Sequence, residues 1–351
     1  MPPPPLAGVL VVDLTRLLPG PLAAKLLADL GARVIKVEEP RMGDPVRLSP
    51  PIVRGRSALA AMLLAGVESV ALDLKRDGAR AVLDALLARA DVLLESSRPG
   101  TLARLGFPPA ELVRRHPRLV LCSLSGYGAD GPHAARTGHD LTYQALAGTL
   151  APTARMPALP LADHAGAWAA ALAVVAALHR RHATGRGGLI DASLYDAALH
   201  TNLVDWAEEA AGARPVGRAL ALSGALACYN LYRTADGGTV ALACLEERFW
   251  RRFCEAAGRP DLVASHLDTS PATKKRVQEL VGGRPRAHWE ELAERHDLPI
   301  EPVLSAAEAA LHPQARRRAV VTTGPDGLPR LGFPAKLDGV RPEAPERLPR
   351  L

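Results

Sequence analysis

The alternation of short β-type runs with helical patterns over residues 8–124 restricts the fold of this chain more than any other feature. Gly8–Asp13 (GVLVVD) reads as a buried strand. Gly20-Pro21 opens a helix over Leu22–Leu30, since proline is tolerated in a first turn, and Gly31 ends it. Arg33–Glu38 (RVIKVE) and Val70–Leu74 read as further strands. A helix over 77–89 leads into Val92–Glu95, and one over 108–115 into Leu119–Leu124. Strands separated by helices of this length do not pair as hairpins. They predict a parallel sheet with right-handed crossovers, a doubly wound α/β domain. No GxGxxG follows the first strand, which disfavours a nicotinamide enzyme.

Beyond residue 124 the pattern changes twice. The longest apolar run, 165–178, is too short to span a bilayer and reads as a buried helix. Thr184-Gly185-Arg186-Gly187-Gly188 then returns the chain to a strand over Leu189–Leu194, followed by a helix around Tyr195–Glu209. Residues 210–226 have linker composition. Tyr229–Thr234, the turn Ala235-Asp236-Gly237-Gly238 and Thr239–Cys244 predict a hairpin, with helices after it at 246–257, 271–281, 287–296 and 304–311. The expected organisation is a large α/β domain over 1–209, a linker over 210–226, a smaller α+β domain over 227–303 and a return segment, 304–351, packing on the large domain. Its end, RPEAPERLPRL, reads as poorly structured.

Hydrophobic residues make up 48% of the chain but aromatics only 4%, so the core must be built from Ala, Leu and Val. The net charge of +6 is spread along the chain and suits an anionic small ligand. No basic run interleaved with aromatics points to nucleic acid. Cys122, Cys228, Cys244 and Cys254 have no CxxC spacing, so neither a metal site nor a disulfide framework is expected. The N-terminus, MPPPPLAGVLVVD, lacks the basic region and long apolar core of a signal peptide. A cytoplasmic protein with no membrane partner is expected.

The chemistry concentrates in residues 138–166. Gly138-His139-Asp140 leads into a short apolar helix, a Pro-rich loop follows, and Asp163 stands at the mouth of the long apolar run. Asp163 reads either as a helix N-cap or as an active carboxylate. The two are compatible, because amides at a helix start hold a carboxylate ionised and oriented, as a nucleophile or base requires. Asp140 reads equally as a cap for a helix starting near Leu141, and His139 alone as a structural histidine. An imidazole and a carboxylate from neighbouring helix starts, however, supply what two-sided proton transfer needs.

Four segments in order, 8–47, 70–107, 119–140 and 161–194 (LADHAGAWAAALAVVAALHRRHATGRGGLIDASL), carry a wider likeness. With them the chain resembles the CaiB/BaiF-like family III CoA-transferases, a group that includes the α-methylacyl-CoA racemases. The resemblance implies a CoA-binding α/β domain, a small second domain and a homodimer whose chains interlock like rings. The substrate it implies is a coenzyme A thioester, with no metal and no redox cofactor. In the transferases the aspartate matching Asp163 attacks the thioester, giving a mixed anhydride and then an aspartyl-CoA. In the racemases it works opposite a histidine, and the α-proton of a 2-methylacyl-CoA is removed and returned.

Gly138-His139-Asp140, with Tyr143, Ala145, Leu146 and Gly148, matches the racemase pattern. Ala243-Cys244-Leu245-Glu246 with Phe249 resembles the segment whose glutamate orients that histidine. The resemblance therefore implies His139 and Asp163 as opposed acid–base groups and Glu246 as the group fixing the imidazole tautomer. Backbone amides at a helix start suit a developing enolate oxygen, so the amide of Asp140, or of a neighbour at the same helix start, is the candidate oxyanion donor. Arg16, Leu17, Lys75, Ser96, Ser97, Arg98 and Arg104 fall where the family meets the cofactor. A racemase-type epimerase is the leading expectation, a CoA-transferase the second, and a non-catalytic acyl-CoA-binding protein the third. The chain also departs from the family. Ser96-Ser97 replaces an Asn-Phe pair, Glu39 stands where some members carry a cation, and Leu64–Ser69 replaces an Asn-Arg-Gly-Lys-like run.

Overall fold

The computed structural model describes residues 3–151, 155–212 and 221–343. The chain divides into two compact units. The first comprises Met1–Thr149, Met156–Leu203 and Pro313–Leu351, the second Leu150–Arg155 and Val204–His312. Part of the expected linker, 213–220, and the tail from 344 lie outside the described residues.

The first unit is built on six strands and the helices between them. In chain order these are β1 (Leu10–Asp13), α1 (Pro19–Asp29), β2 (Arg33–Glu38), β3 (Glu68–Ala71), α2 (Asp77–Leu87), β4 (Val92–Glu95) and β5 (Val120–Ser125). Then come α3 (Asp140–Leu146), α4 (Leu161–Thr184), β6 (Gly188–Ser193) and α5 (Leu194–Thr201). The sheet order is β3-β2-β1-β4-β5-β6, and every neighbouring pair is parallel. The chain thus builds outward from β1, crosses back, and builds outward on the other side. This is a mixed α/β architecture around a central parallel sheet.

Parallel strands covered on both faces are apolar at every position, and side chains one residue apart point to opposite faces. Val11, Val34, Leu94, Val120 and Cys122 pack on one face with Ala23, Ala24 and Leu27 of α1 and with α4. Val12, Val37, Leu93 and Leu121 pack on the other with Leu83 and Leu87 of α2. β3 lies two residues earlier than the sequence suggests. Gly66 takes a left-handed turn, φ 77°, and the chain pairs with β2 from Glu68 onward.

Helix α4 outlasts its apolar run, spanning 24 residues. By length and composition it is long enough to cross a membrane, which the sequence run alone was not. Its buried stripe is mostly of small residues, Ala162, Gly166, Ala167, Ala170, Ala171 and Ala177, with Val174 and Leu178. A Cβ at Gly166 would sit 2.3 Å from Leu194 Cδ2, so the glycine is what lets α5 lie against α4. The helix expected over 195–209 is two. Thr201 Oγ1 donates back to the Ala198 carbonyl at 2.7 Å and Asn202 Nδ2 donates to Ala147 O at 3.3 Å, breaking the run at the unit boundary. Lys25, paired with Asp29 inside α1, also donates to Leu331 O at 3.1 Å and ties residues near the C-terminus to this unit.

The second unit holds the hairpin β7 (Tyr229–Arg233) and β8 (Thr239–Ala243), with β9 (Ile300–Pro302) antiparallel on the far side of β8. Helices α6 (Glu247–Ala256), α7 (Pro271–Gly282) and α8 (Arg286–His296) cover it. Its core centres on Trp250, Phe253 and Trp289. Each indole finds a carbonyl at 3.0 Å, Leu262 O and Val281 O, as a buried indole must.

Candidate active site

A cavity of about 660 Å³ opens in the first unit at the carboxyl ends of the strands. Each strand sends the residues after its last one into it: Leu14–Leu17 after β1, Glu38 and Glu39 at the end of β2, Leu72–Lys75 after β3, Ser96–Pro99 after β4, Gly126 after β5 and Leu194 after β6. Open parallel sheets bind ligands here because successive connections leave β1 and β4 in opposite directions and part to form a crevice.

The cavity gathers most of the residues singled out from sequence. Arg16, Leu17, Lys75, Ser96, Ser97, Arg98, His139, Asp140 and Asp163 all line it. Arg104 is not among the lining residues; its Nη2 donates to Thr101 Oγ1 at 2.8 Å. Glu246 belongs to the second unit, where it precedes α6, exposed and making no side-chain bond to the helix.

The roles open to the two aspartates are exchanged. Helix α4 begins at Leu161 with Pro160 at its cap position, so Asp163 is a first-turn residue and not the N-cap. Helix α3 begins at Asp140 itself, after His139. The Asp140 carboxylate does cap, but it caps the neighbouring helix: Oδ1 accepts the Asp163 amide at 3.0 Å, while Oδ2 accepts Gln144 Nε2 at 2.6 Å. One carboxylate thereby pins the backbone that carries the other. His139 is exposed at the cavity and not a packed structural histidine. Its amide donates to Thr142 Oγ1 at 3.0 Å and that hydroxyl donates back to its carbonyl at 2.8 Å, fixing the backbone from which the imidazole projects.

This arrangement sets the charge state of Asp163. Burial, then the Asp140 charge, push its carboxyl up to about 6, against the opposing pull of His164 and His139. An acid in that range exchanges protons readily near neutrality.

Beneath the Arg16–Leu17 loop lies a charged cluster that sequence reasoning missed. Lys36 of β2 is fully buried, its Nζ 3.1 Å from Asp13 Oδ2, 3.0 Å from Asp44 Oδ2 and 2.7 Å from Thr15 O. Asp44 Oδ1 in turn accepts the Leu17 amide at 3.0 Å and the Val46 amide at 2.9 Å. Leu17 is held with φ at 67°, a left-handed conformation that L residues seldom adopt. The signal was present in RVIKVE, where a lysine interrupts a strand otherwise fit for burial on both faces.

Next to it, burial pushes Glu38 up, but bonds from Arg47, Ser69 and the Asp44 amide outweigh that and hold it at about 2. Glu39 turns its Oε2 onto the Arg41 and Met42 amides at 3.0 and 2.9 Å. Exposed Arg16, Lys75, Arg98 and Arg136 leave the cavity rim cationic, which suits a phosphorylated ligand. Among the described residues no group of three or more His, Cys, Asp or Glu is placed to hold a metal ion.

Fold and site together define an α/β protein with an acid–imidazole constellation and a cationic rim at the switch point of a parallel sheet. The chain belongs to CoA-transferase family III, whose family model matches residues 6–351. It is 33% identical to an acetyl-CoA:oxalate CoA-transferase of Acetobacter aceti, over 97% of this chain and 92% of that protein. It is equally 33% identical to the α-methylacyl-CoA racemase of Mus musculus, over 92% of this chain and 84% of that one. A CAIB/BAIF family protein from Brucella suis has the same fold, with a TM-score of 0.87 at 27% identity, covering 100% of this chain and 97% of its own. The two curated relatives carry names of two kinds of enzyme, a CoA-transferase and a racemase. This chain is an enzyme of that superfamily, for which CoA-linked substrates are expected.

Proposed function

We propose that the chain is an α-methylacyl-CoA racemase-type epimerase, acting on an acyl-CoA thioester held in the cavity between His139 and Asp163. The observation that carries this reading is the Asp163 carboxyl, pushed to about 6 on a cavity it shares with an imidazole. The α-proton of a thioester is too weakly acidic for a free side chain to remove at neutral pH. One of the two groups takes it, the C–H electron pair moves into the enolate, and the negative charge settles on the thioester oxygen. The conjugate acid of the other group returns a proton to the opposite face. No electrons are gained or lost overall.

Each group contributes a general acid–base factor of about 10²–10⁴. Asp140 fixes Asp163, and its amide is the proposed donor to the enolate oxygen. Arg16, Leu17, Lys75, Ser96, Ser97 and Arg98 are proposed to receive the CoA moiety, with Arg104 at its margin. Glu246 is proposed to set the imidazole tautomer, as a carboxylate does in a catalytic triad, within a homodimer of the interlocked kind.

A second reading has its own support in the near-complete match to a CoA-transferase. Asp163 would then attack the thioester carbonyl, expelling CoA thiolate and forming a mixed anhydride. The thiolate would attack the aspartyl carbonyl, release the first acid and leave an aspartyl-CoA that hands CoA to a second acid. Incubation with a 2-methylacyl-CoA in deuterium oxide, with and without an acceptor acid, separates the two. The epimerase incorporates deuterium at the α-carbon without an acceptor. A chain that instead moves CoA to the acceptor, with an adduct at Asp163 sensitive to hydroxylamine and no incorporation, is a transferase.

A further inference from the structure

Tyr143 of α3 lines the same cavity, yet neither reading above gives it a part. Its ring is packed closely against two glycines. A Cβ at Gly126, just past β5, would lie 2.4 Å from the Tyr143 hydroxyl oxygen and 2.7 Å from Cζ. A Cβ at Gly138, just before His139, would lie 2.5 Å from Cε1. The Tyr127 ring closes a third side, edge-to-face at 5.0 Å between centroids. The residue is 6% exposed, and among the described residues its hydroxyl makes no hydrogen bond. The hydroxyl is not among the fully buried side-chain atoms that lack a partner, so it is open to the cavity that Tyr143 lines, where a phenol's polar end ordinarily meets a partner. Here the hydroxyl is held at the carboxyl end of β5, in a cavity it shares with His139 and Asp163, so its partner is whatever occupies that cavity.

We propose that the Tyr143 hydroxyl donates a hydrogen bond to the thioester carbonyl oxygen of the bound substrate. The bond strengthens as that oxygen takes on negative charge, in the enolate or in the tetrahedral adduct with Asp163, so the assignment rests on a thioester occupying the cavity and not on which of the two reactions follows. Tyrosine gives up no proton in either. Burial, with the neighbouring Tyr127 and Asp163, pushes the phenol up to about 12, so it stays a donor across the working pH range. The glycine seat matters because a donor aimed before the reaction begins needs no reorganisation when the charge develops.

Tyr143→Phe tests this, because phenylalanine fills the same seat and lacks only the O–H. In the full chain the variant is expected to lose about 10–100-fold in kcat, with KM within about threefold, as befits an interaction made chiefly in the transition state. Infrared difference spectra of a 2-methylacyl-CoA carrying ¹³C at the carbonyl give a readout that packing alone does not move. The bound C=O stretch is expected at higher frequency in Tyr143→Phe than in the unsubstituted protein. An unchanged stretch overturns the proposal, even where the rate falls.

The same experiment keeps the two readings apart. If the unsubstituted protein neither exchanges the α-hydrogen nor moves CoA, the functional reading fails while the stretch still decides for or against Tyr143. If it turns over and the stretch does not respond, the function stands and Tyr143 falls. If the thioester does not bind, both fall.

Discussion

Asp163 binds its proton more tightly when folded than an ordinary aspartate does, and that has consequences for both rate and stability. Its carboxyl moves from 3.8 to about 6, first through burial and then through Asp140. Between those values the native state holds a proton that the unfolded chain has released. The stabilisation is therefore full below about pH 4 and is lost as pH rises through 6. Asp163→Asn removes the charge that burial penalises. It is expected to be more stable than the unsubstituted protein at pH 8, by on the order of 1–3 kcal/mol, and to match it near pH 4, as read by urea unfolding at the two values. Its α-proton exchange should fall by about 10²–10⁴. The unsubstituted protein should lose activity below pH 6 as Asp163 takes up its proton and can no longer act as base or nucleophile. An Asp163→Asn chain that is less stable at pH 8 contradicts the buried, charge-opposed setting. The sequence left Asp163 open between a cap and an active acid. Only the structure shows Pro160 at the cap position and Asp140 bonded to the Asp163 amide, a contact across 23 residues that no local pattern encodes.

At the scale of elements, the loop after β1 owes its shape to a charge beneath it. Lys36 neutralises Asp13 and Asp44, and Asp44 holds the amide of left-handed Leu17. Breaking a buried ion network by removing one partner leaves uncompensated charge. Lys36→Met is thus expected to destabilise the chain by about 3–5 kcal/mol in urea unfolding. Leu17→Gly tests the loop without disturbing the network. Glycine occupies the left-handed region freely, so the variant should lose no stability from backbone strain and recover about 1 kcal/mol. It should also raise KM for the acyl-CoA, because the loop becomes free to leave its bound shape. A KM unchanged in Leu17→Gly would remove the loop from the binding surface. The β–α alternation was legible because a buried parallel strand and an amphipathic helix differ in period. Arg33–Glu38 and Val92–Glu95 appear at the expected residues. The pairs Ile52–Val53 with Arg56–Ser57, and Val321–Thr323 with Pro329–Leu331, were not legible. Strands of two or three residues have no period to read, and their pairing depends on what they pack against.

At the scale of the whole molecule, hydrophobic clusters pack on both faces of the parallel sheet, and a separate one gathers around Trp250, Phe253 and Trp289. The proposed acid and imidazole belong to the unit with the sheet, and Glu246 to the other. The Glu246 carboxylate is unused by the helix it precedes, so it is available to a partner. In the proposed interlocked homodimer, Glu246 is proposed to serve either the His139 of its own chain or that of the second chain. The expected mass in light scattering is then twice the 37.1 kDa of one chain. Mixed dimers sharpen the prediction. Chains carrying Asp163→Ala and chains carrying Glu246→Ala are each expected to be inactive or nearly so as homodimers. In a dimer with one of each, service across the chains collects both defects in one site and leaves the other intact, so about half of the unsubstituted activity returns. Service within the chain leaves a defect in both sites and nothing returns. Co-expression with two affinity tags isolates the mixed dimer, and its rate of α-deuterium incorporation decides between a site completed by the second chain and one that each chain completes for itself.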